Sequence, residues 1–346
     1  AYIHRAYHAI RGLSNSRGLP TNAIFGFTRM LIKLMEERSP EFIGMFFDAK
    51  GPTFRHEIYE EYKANRPSMP EDMAMQIPYI KEVTAAFNLP IIEMQGYEAD
   101  DLIGTLAFKA EKEGFNVVMV TGDKDFMQLV TDKIAIWDPM KENTIDIDAI
   151  REKFGIEPPQ MIDVQGLSGD TADNIPGVPG IGQKTALDLI KTHNSMQELY
   201  TRLDTITKKK QRENLENFKD QAFLSRELVT INTAVPLTID LADFKVSAPD
   251  KEQLAELYKR LEFRQLQQSV PAQADLSQKD YQAIMDMDGL SKLIARLEKA
   301  EFFALDTETT STNPMQAALV GLSFALKADQ AFYIPCAHNY LGAPQQ

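Results

Sequence analysis

Apolar and polar residues follow two different periods along this chain, and the two periods predict helices and buried strands in turn. After Asp101 the apolar positions recur at helical spacing, and the unbroken apolar run at 117–120 that follows is typical of a buried strand. A similar run at 42–47 predicts another strand, preceded by a helix over about 23–37. Because strands alternate with helices, we expect an α/β fold with a mostly parallel sheet flanked by helices.

The same two patterns continue along the chain. They predict strands at 90–94 and 134–137, and helices at about 70–88, 146–154, 183–193, 222–231 and 252–263. The apolar period is then lost over 266–279, which is typical of a linker, before a helix at about 290–299 and a strand at 301–309. The pattern therefore indicates a larger α/β part followed by a smaller one.

Composition narrows the class of protein. A chain of 346 residues with 44% hydrophobic residues is long enough for two domains or more. The single cysteine, Cys336, excludes an internal disulfide and fits a reducing cytoplasm. Because no apolar run reaches membrane-spanning length and the amino terminus lacks a signal-peptide pattern, we expect a cytoplasmic protein without a membrane partner.

Carboxylates gather where such a fold would bring them together. Asp48 follows one predicted strand, Asp123 and Asp125 follow another, and an acidic turn begins the helix between these strands. That turn contains Glu98, Asp100 and Asp101. Ligands of an open parallel sheet bind beyond the carboxyl ends of its strands. Carboxylates that lie close together there repel one another unless a cation neutralises them. The pattern therefore predicts a Mg²⁺ or Mn²⁺ site. The alternative is that these acids only cap the helix and its turns.

The net charge of −13 argues against a nucleic-acid partner, but three further stretches could bind nucleic acid locally. Residues 53–67 interleave aromatic and basic side chains, as grooves for single strands do, although a solvated amphipathic helix is the alternative. Glycines at 177, 180 and 182 precede a helix and would present free backbone amides to a phosphate, although such a stretch is often only a turn. A basic cluster at 208–212 is a weaker candidate for a duplex contact.

Four motifs, in this order, resemble those of the bacterial DNA polymerase I family. They are Phe47-Asp48-Ala-Lys, Gly96-Tyr-Glu98-Ala-Asp100-Asp101, Thr121-Gly-Asp123-Lys-Asp125, and the stretch from Gly169-Asp170-Thr-Ala-Asp173 to Gly182-Gln-Lys184-Thr-Ala. They match the family's amino-terminal 5′ nuclease domain, which is similar to flap endonucleases, over about residues 1–265. The resemblance implies a PIN-like α/β domain with a helical arch at about 52–70 and a helix–hairpin–helix, acting as a 5′→3′ exonuclease and flap endonuclease on DNA.

The resemblance also implies roles for individual residues around two Mg²⁺ (or Mn²⁺) ions. The first ion would be held by Asp48, Glu98, Asp100 and Asp101, and the second by Asp123, Asp125, Asp170 and Asp173. Lys63 and Arg66 would act on the scissile phosphate. Contacts to DNA would come from Arg55, Tyr62, Gly177, Gly180, Gly182 and Lys184. The implied substrates are DNA flaps, nicks and free 5′ ends, bound by a monomer during primer removal and repair.

The implied domain organisation has four parts. A metal-site domain covers 1–165, a helix–hairpin–helix region covers 166–265, a linker covers 266–279, and a partial 3′→5′ exonuclease domain covers 280–346. The last part resembles the start of a ribonuclease H-like proofreading domain. In it, Asp306 and Glu308 alternate along a strand and share one face, as two ligands of one metal ion must.

We expect the chain to be part of a longer protein, because it starts without Met in mid-pattern and stops inside a predicted sheet. The resemblance implies a further metal-binding Asp just before Ala1, so we expect weak metal binding and slow turnover from this chain. Two alternatives remain open. One is a branched-DNA-binding module without catalysis, and the other is an RNA-directed nuclease with a similar carboxylate rim, which the helix–hairpin–helix disfavours.

Overall fold

The protein forms two compact units, Ala1–Val270 and Pro271–Gln346. Its structure is a computed structural model that describes residues 2–10, 12–269, 280–311, 313 and 315–338. In the described part of the chain, no helix is both long enough and apolar enough to cross a membrane.

The first unit consists mainly of helices that surround short strands. Its helices are α1 (Tyr2–Ala9), α2 (Asn22–Arg38), α3 (Phe54–Ile58), α4 (Glu71–Ala74), α5 (Ile77–Ala86), α6 (Ala99–Lys112), α7 (Ile147–Phe154), α8 (Gln160–Ser168), α9 (Gln183–His193), α10 (Met196–Thr201), α11 (Lys209–Asn217), α12 (Lys219–Val229), α13 (Lys251–Leu261) and α14 (Arg264–Ser269). Its strands are β1 (Met45–Phe46), β2 (Ile91–Ile92), β3 (Val117–Val120), β4 (Ile134–Asp138) and β5 (Asn143–Ile145). Short 3₁₀ helices lie at Lys124–Leu129, Leu203–Thr205 and Leu241–Phe244.

The described strands of the first unit pair mostly in parallel, as predicted, but they form two separate small sheets. β1 pairs in parallel with β2, with Met45 opposite Ile91. β3 pairs in parallel with β4, which also pairs antiparallel with β5. The α/β class predicted from the sequence is therefore confirmed, with less continuous strand than the apolar runs suggested.

Two of the predicted elements are shorter than expected. Of the run at 42–47, only β1 pairs as a strand, because the amide of Ile43 instead donates to the carbonyl of Phe244. The predicted helix at 70–88 is split into α4 and α5, and Pro78 lies at the start of α5. Proline has no N–H to donate to the preceding turn, so one continuous helix cannot pass through this position.

Two apolar clusters cover opposite faces of the β3–β4 pair. Met119 and Ile136 belong to a cluster with α8, α9 and α10, whereas Val120 and Trp137 contact a second cluster formed by α2, α5 and α13. Successive strand residues point to opposite faces, which is why neighbours in sequence join different clusters. The sheet is thus buried between helices, and its carboxyl edge, at Thr121 to Asp123, is left as the open side.

The second unit contains a four-stranded sheet and one described helix. It comprises β6 (Asp280–Ala283), α15 (Met287–Leu297), β7 (Ala304–Thr309), β8 (Leu319–Lys327) and β9 (Gln330–Pro335), with strand order β6-β9-β8-β7. The predicted helix and strand correspond to α15 and β7. The predicted linker at 266–279 begins inside α14, and its part from 270 to 279 lies outside the described residues.

Gly169 and Gly177 approach each other too closely for either to carry a side chain. At Gly177, where φ is +61°, a Cβ would lie 2.3 Å from the backbone nitrogen of Gly169. We expect Gly177→Ala to lower the free energy of unfolding by about 3 kcal/mol, since overpacking against backbone cannot relax easily. Urea unfolding measures this, and Gly182→Ala is the matched control, because a Cβ at Gly182 would meet nothing within 4 Å. Its effect should stay below about 1 kcal/mol, and equal losses in both variants would contradict the prediction.

Candidate active site

Acidic residues from distant segments meet around the amino-terminal end of α6. Asp48, two residues after β1, accepts a hydrogen bond from the amide of Ala99 at 2.9 Å, which ties the end of β1 to the start of α6. Half-buried Asp100 faces the carboxylates of Asp123 and Glu98 as well as that of Asp48. Burial, and then the repulsion from these carboxylates, raises the pKa of Asp100 to about 7.

A second group of acids adjoins the first beyond the end of β3. Burial and the nearby Asp123 carboxylate raise the pKa of Asp125 to about 6, while the amide of Gln165 donates a hydrogen bond to Asp125 and opposes that rise. Asp170, which bridges to Ile175 in a tight loop, also acts on Asp125 electrostatically. The structure thus brings these acids together at one edge of the first unit.

Lysine and arginine side chains of the protein form ion pairs with these carboxylates. Lys63 contacts Glu98 and lies 3.7 Å from Asp173, and Arg66 also pairs with Asp173. Lys124 stands between Asp123 and Asp125 in the sequence, and its ammonium nitrogen lies 2.9 Å from a carboxylate oxygen of Asp170. As the side chains stand, no three or more His, Cys, Asp or Glu residues of the described chain are arranged to hold a metal ion.

The donor chemistry of this edge nevertheless suits a hard divalent cation. Every donor in it is a carboxylate oxygen, and the raised pKa values of Asp100 and Asp125 show that the acids are close enough to repel one another. Mg²⁺ and Mn²⁺ are bound by oxygen ligands of this kind. Cation binding would require Lys63, Arg66 and Lys124 to release their partners.

Two residues predicted to touch metal or DNA form a buried ion pair instead. Arg55 is 2% exposed and Asp101 is 0% exposed, and two N–H groups of the guanidinium donate to the two carboxylate oxygens, each at 2.8 Å. As the side chains stand, this pairing leaves neither residue open to DNA or metal, and their predicted roles stay predictions. A basic residue inside an aromatic and basic run carries no sequence signal that would have shown its burial.

Tyr62 is also buried, and its predicted contact with DNA stays a prediction. It is 4% exposed, packs against Ile175 and Leu228, and donates its hydroxyl to Glu98 at 3.0 Å. Burial, followed by the Glu98 carboxylate, raises the pKa of this phenol. Its ring cannot stack on a base without leaving this cluster.

The predicted helical arch at about 52–70 contains little helix in this structure. Only α3 is helical there, and residues 60–65 form turns in which Lys63 has φ of +57°. These turns fold back onto the acidic loop, because the amide of Lys63 donates to the carbonyl of Asp173 at 2.9 Å and the side chain of Asn174 donates to Glu61. Lys63 and Arg66 are held at the site by these contacts.

The glycine-rich turn before α9 divides into a buried and an exposed part. The amide of Gly177 donates to the Ser225 hydroxyl at 3.0 Å, so it is already paired within the protein, and its predicted contact with phosphate stays a prediction. Gly180, Gly182 and Lys184 are exposed at the start of α9, and their contact with DNA stays a prediction.

In the second unit, the predicted metal ligands lie on β7. Asp306 is opposite Ser323 and Glu308 is opposite Gly321 in the pairing with β8, and both acids are exposed. Their spacing of two residues puts them on one face of the strand, as expected. Their role as metal ligands stays a prediction.

Two polar residues at the site were missed by the sequence analysis. Lys124 pairs with Asp170, and its position between Asp123 and Asp125 was a usable signal. Gln165, which contacts Asp125 from α8, had no signal, since forty residues separate the two and only the fold joins them.

Comparison with known families places this site in a class of nucleases. Residues 1–155 match the family described as 5′-3′ exonuclease, N-terminal resolvase-like domain, and residues 156–252 match the 5′-3′ exonuclease, C-terminal SAM fold. Residues 281–343 match a 3′-5′ exonuclease family. The first unit is thus built from the two domains of a 5′-3′ exonuclease.

Curated relatives make the family specific. DNA polymerase I of Pseudomonas aeruginosa is 40% identical and aligns with 100% of this chain, and that of Bacillus subtilis is 37% identical over 96% of the chain. The thermostable DNA polymerase I of Thermus thermophilus is 42% identical over 76% of the chain. The alignments cover 40%, 38% and 31% of these relatives, so the chain spans about two fifths of their length or less. This chain belongs to the DNA polymerase I family.

Solved structures share the fold of the first unit. A T5 5′-exonuclease with bound zinc superposes with a TM-score of 0.54 at 21% identity, covering 70% of this chain and 89% of that one. The catalytic core of Rad2 with a DNA substrate gives a TM-score of 0.53 at 21% identity, covering 78% and 87%. At this identity the likeness concerns the fold alone, and it agrees with the predicted class.

Asp100 and Asp101 are neighbours whose replacement should have opposite effects on stability. A raised carboxyl pKa means that ionisation of Asp100 destabilises the fold, an effect that is absent below about pH 4 and complete above about pH 7. We expect Asp100→Asn in metal-free buffer at about pH 8 to raise the free energy of unfolding by about 2 kcal/mol, after allowance for partial exposure, and to lose this gain as the pH falls.

Asp101→Asn is the matched control in the same unfolding assay. It leaves the buried Arg55 guanidinium without its counter-charge, so we expect a loss of about 3 kcal/mol. A stabilising Asp101→Asn, or an Asp100→Asn effect that does not change between about pH 5 and pH 8, would contradict this electrostatic description.

Proposed function

We propose that this chain hydrolyses phosphodiester bonds of DNA as a metal-dependent 5′→3′ exonuclease and flap endonuclease, in primer removal and repair. The observation that carries this proposal is the convergence of carboxylates from four separate segments at one edge of the first unit. These carboxylates belong to Asp48, to Glu98 and Asp100, to Asp123 and Asp125, and to Asp170 and Asp173. Membership of the DNA polymerase I family and the match to both 5′-3′ exonuclease domains support it.

Two divalent cations, Mg²⁺ or Mn²⁺, would fit the all-oxygen donors of this edge. Asp48, Glu98 and Asp100 would hold one, and Asp123, Asp125, Asp170 and Asp173 the other; Asp101 is left out because Arg55 occupies it. Bound there, such ions supply a water of lowered pKa and charge stabilisation for the leaving oxygen. The T5 5′-exonuclease, with zinc bound in its structure, is consistent with this assignment.

Lys63 and Arg66 would bind the scissile phosphate. Both now neutralise carboxylates of the site, Lys63 at Glu98 and Arg66 at Asp173. Once divalent cations neutralise those carboxylates, the two side chains are free to pair with another anion at the same place. A phosphate would receive from them the positive charge that stabilises its transition state.

DNA would be positioned away from the cut by the exposed start of α9. Gly180, Gly182 and Lys184 present backbone amides and a cation there, and Asn214 of α11 donates to the carbonyl of Pro179 at 2.7 Å, which braces the turn. Such contacts fix where a duplex lies without reading its sequence. The substrates we propose are DNA flaps, nicks and free 5′ ends, bound by one copy of the chain.

A second candidate function is binding of branched DNA without cleavage. It is favoured by one observation, namely that Lys63, Arg66 and Lys124 already occupy the carboxylates that the ions would need. Product formation separates the two candidates, since a binding module shifts the mobility of a flap duplex but leaves its strands intact.

Cleavage of a labelled 5′-flap duplex tests the proposal directly. We expect Mg²⁺- or Mn²⁺-dependent product that chelator abolishes, and a loss of at least about 100-fold in Asp123→Ala, since that side chain belongs to the ion site. Asp132→Ala is the matched control, because Asp132 is an exposed aspartate at the amino end of β4, and it should cleave normally. Binding without product would favour the second candidate. An RNA flap assayed in parallel tests the RNA alternative.

The contact at α9 makes a separate prediction for binding. Lys184→Ala should weaken binding of a flap duplex and reduce the slope of log affinity against log salt by about one, as loss of a single phosphate contact does. Fluorescence anisotropy in chelator measures this, with the exposed Lys259→Ala on α13 as control. Equal slopes for Lys184→Ala and the unmodified chain would remove Lys184 from the interface.

A further inference from the structure

Arg55 joins three segments of the chain at the edge of the acidic site. Its Nη1 donates to Asp101 at 2.8 Å and to Glu98 at 3.2 Å, so it reaches two acids of the turn that begins α6. Its Nη2 donates to Asp101 and to the carbonyl of Thr230, and its Nε donates to the carbonyl of Leu228, each at 2.8 Å. Every guanidinium nitrogen therefore has an acceptor, and the side chain is buried.

We propose that Arg55 is a positioning residue that presents one chosen oxygen of Glu98 to the divalent cations. This inference rests on the proposed function, because it concerns how the same site takes its ions. Arg55 itself contacts neither substrate nor cation in this role. It acts through the carboxylate of Glu98, whose orientation it limits.

The two oxygens of Glu98 have different partners. Oε2 accepts from Nη1 of Arg55 and from the hydroxyl of Tyr62 at 3.0 Å, and both donors are buried. Among the residues that the structure describes, Oε1 accepts only from the ammonium of Lys63, whose side chain is partly exposed. Release of Lys63 therefore leaves Oε2 held from the protein side and Oε1 as the free donor of the acidic site.

Asp101 makes it possible for Arg55 to hold this position. Its carboxylate pairs with the guanidinium through both oxygens, and it also accepts from the amides of Glu98 at 3.1 Å and Asn232 at 2.8 Å. The planar guanidinium can grip a carboxylate with two N–H groups and still donate elsewhere, which the single ammonium of lysine cannot do in the same geometry. The pair keeps the buried charges balanced while the spare N–H reaches Glu98.

The end of α12 and the residues after it also contact the segment that carries the second group of acids. Gln128, in the 3₁₀ helix that follows Asp123, donates to the carbonyl of Val229 and accepts from the amide of Ile231, each at 2.9 Å. Arg55 binds the carbonyls on either side of Val229. Residues 228–232 thus contact the segments of both groups of acids, and they reach the first group through Arg55 and through the amide of Asn232.

A pair replacement separates positioning from mere stability. Arg55→Met alone leaves Asp101 buried without its partner and should lower the free energy of unfolding, whereas Arg55→Met combined with Asp101→Leu removes both charges and should recover most of that loss. Arg55→Lys keeps the charge near Asp101 and provides a folded variant if the others fail. The control is the ion pair between Arg226 and Asp163, replaced as Arg226→Met with Asp163→Leu.

The readout is the Mn²⁺ concentration that half-saturates the rise in melting temperature, with Mg²⁺-dependent flap cleavage measured alongside. We expect the double variant and Arg55→Lys to need about 10-fold more Mn²⁺ than the unmodified chain, as loss of a residue that orients a metal ligand does, while the control pair keeps the normal value. An unchanged Mn²⁺ midpoint in both Arg55 variants, or an equal shift in the control pair, would overturn the positioning role and leave the proposed function intact. If the unmodified chain neither responds to Mn²⁺ nor cleaves, the proposed function fails and this inference fails with it.

Discussion

Carboxylates that are partly buried and repel one another at one edge of the first unit are the constraint on which the rest of this structure depends. The ends of β1 and β3 and the start of α6 bring Asp48, Asp100 and Asp123 together, and burial, followed by repulsion from the neighbouring carboxylates, raises the pKa of Asp100 to about 7. A fold gains nothing in stability from such an arrangement, because each ionised acid destabilises its neighbours. Sites of this kind are where function and stability diverge, and here the divergence coincides with the motifs of a nuclease family.

The chain balances this negative charge in two physically different ways. Arg55 and Asp101 form a buried, bidentate pair whose partners cannot be exchanged without opening the core. Lys63, Arg66 and Lys124 are more exposed and form simpler ion pairs, which water and salt weaken. The first kind of pair suits a support that must not move. The second kind of pair suits the proposed function, in which metal ions replace these side chains at the carboxylates. Lys63 and Arg66 would then turn toward a phosphate.

Charge distribution also makes the proposed DNA partner compatible with an acidic protein. The net charge of −13 includes the carboxylates of the site, which divalent cations would neutralise. Basic side chains remain exposed at the start of α9 and along α11, where they face solvent. The local field near these helices, and not the sum over the chain, governs the approach of a phosphate backbone.

The sequence by itself determined the class of fold, the family and the acids of the site. Helices such as α7 and α9 agree with their predicted bounds because helical periodicity and capping residues are local properties, and Pro78 could have predicted the break between α4 and α5. Only the tertiary structure decided which polar residues are buried. Arg55 bonds to a carbonyl 173 residues away, Tyr62 reaches Glu98, and the amide of Gly177 is taken by Ser225. Partners so distant in sequence are chosen by packing, so the spacing of residue types along the chain carries no record of them.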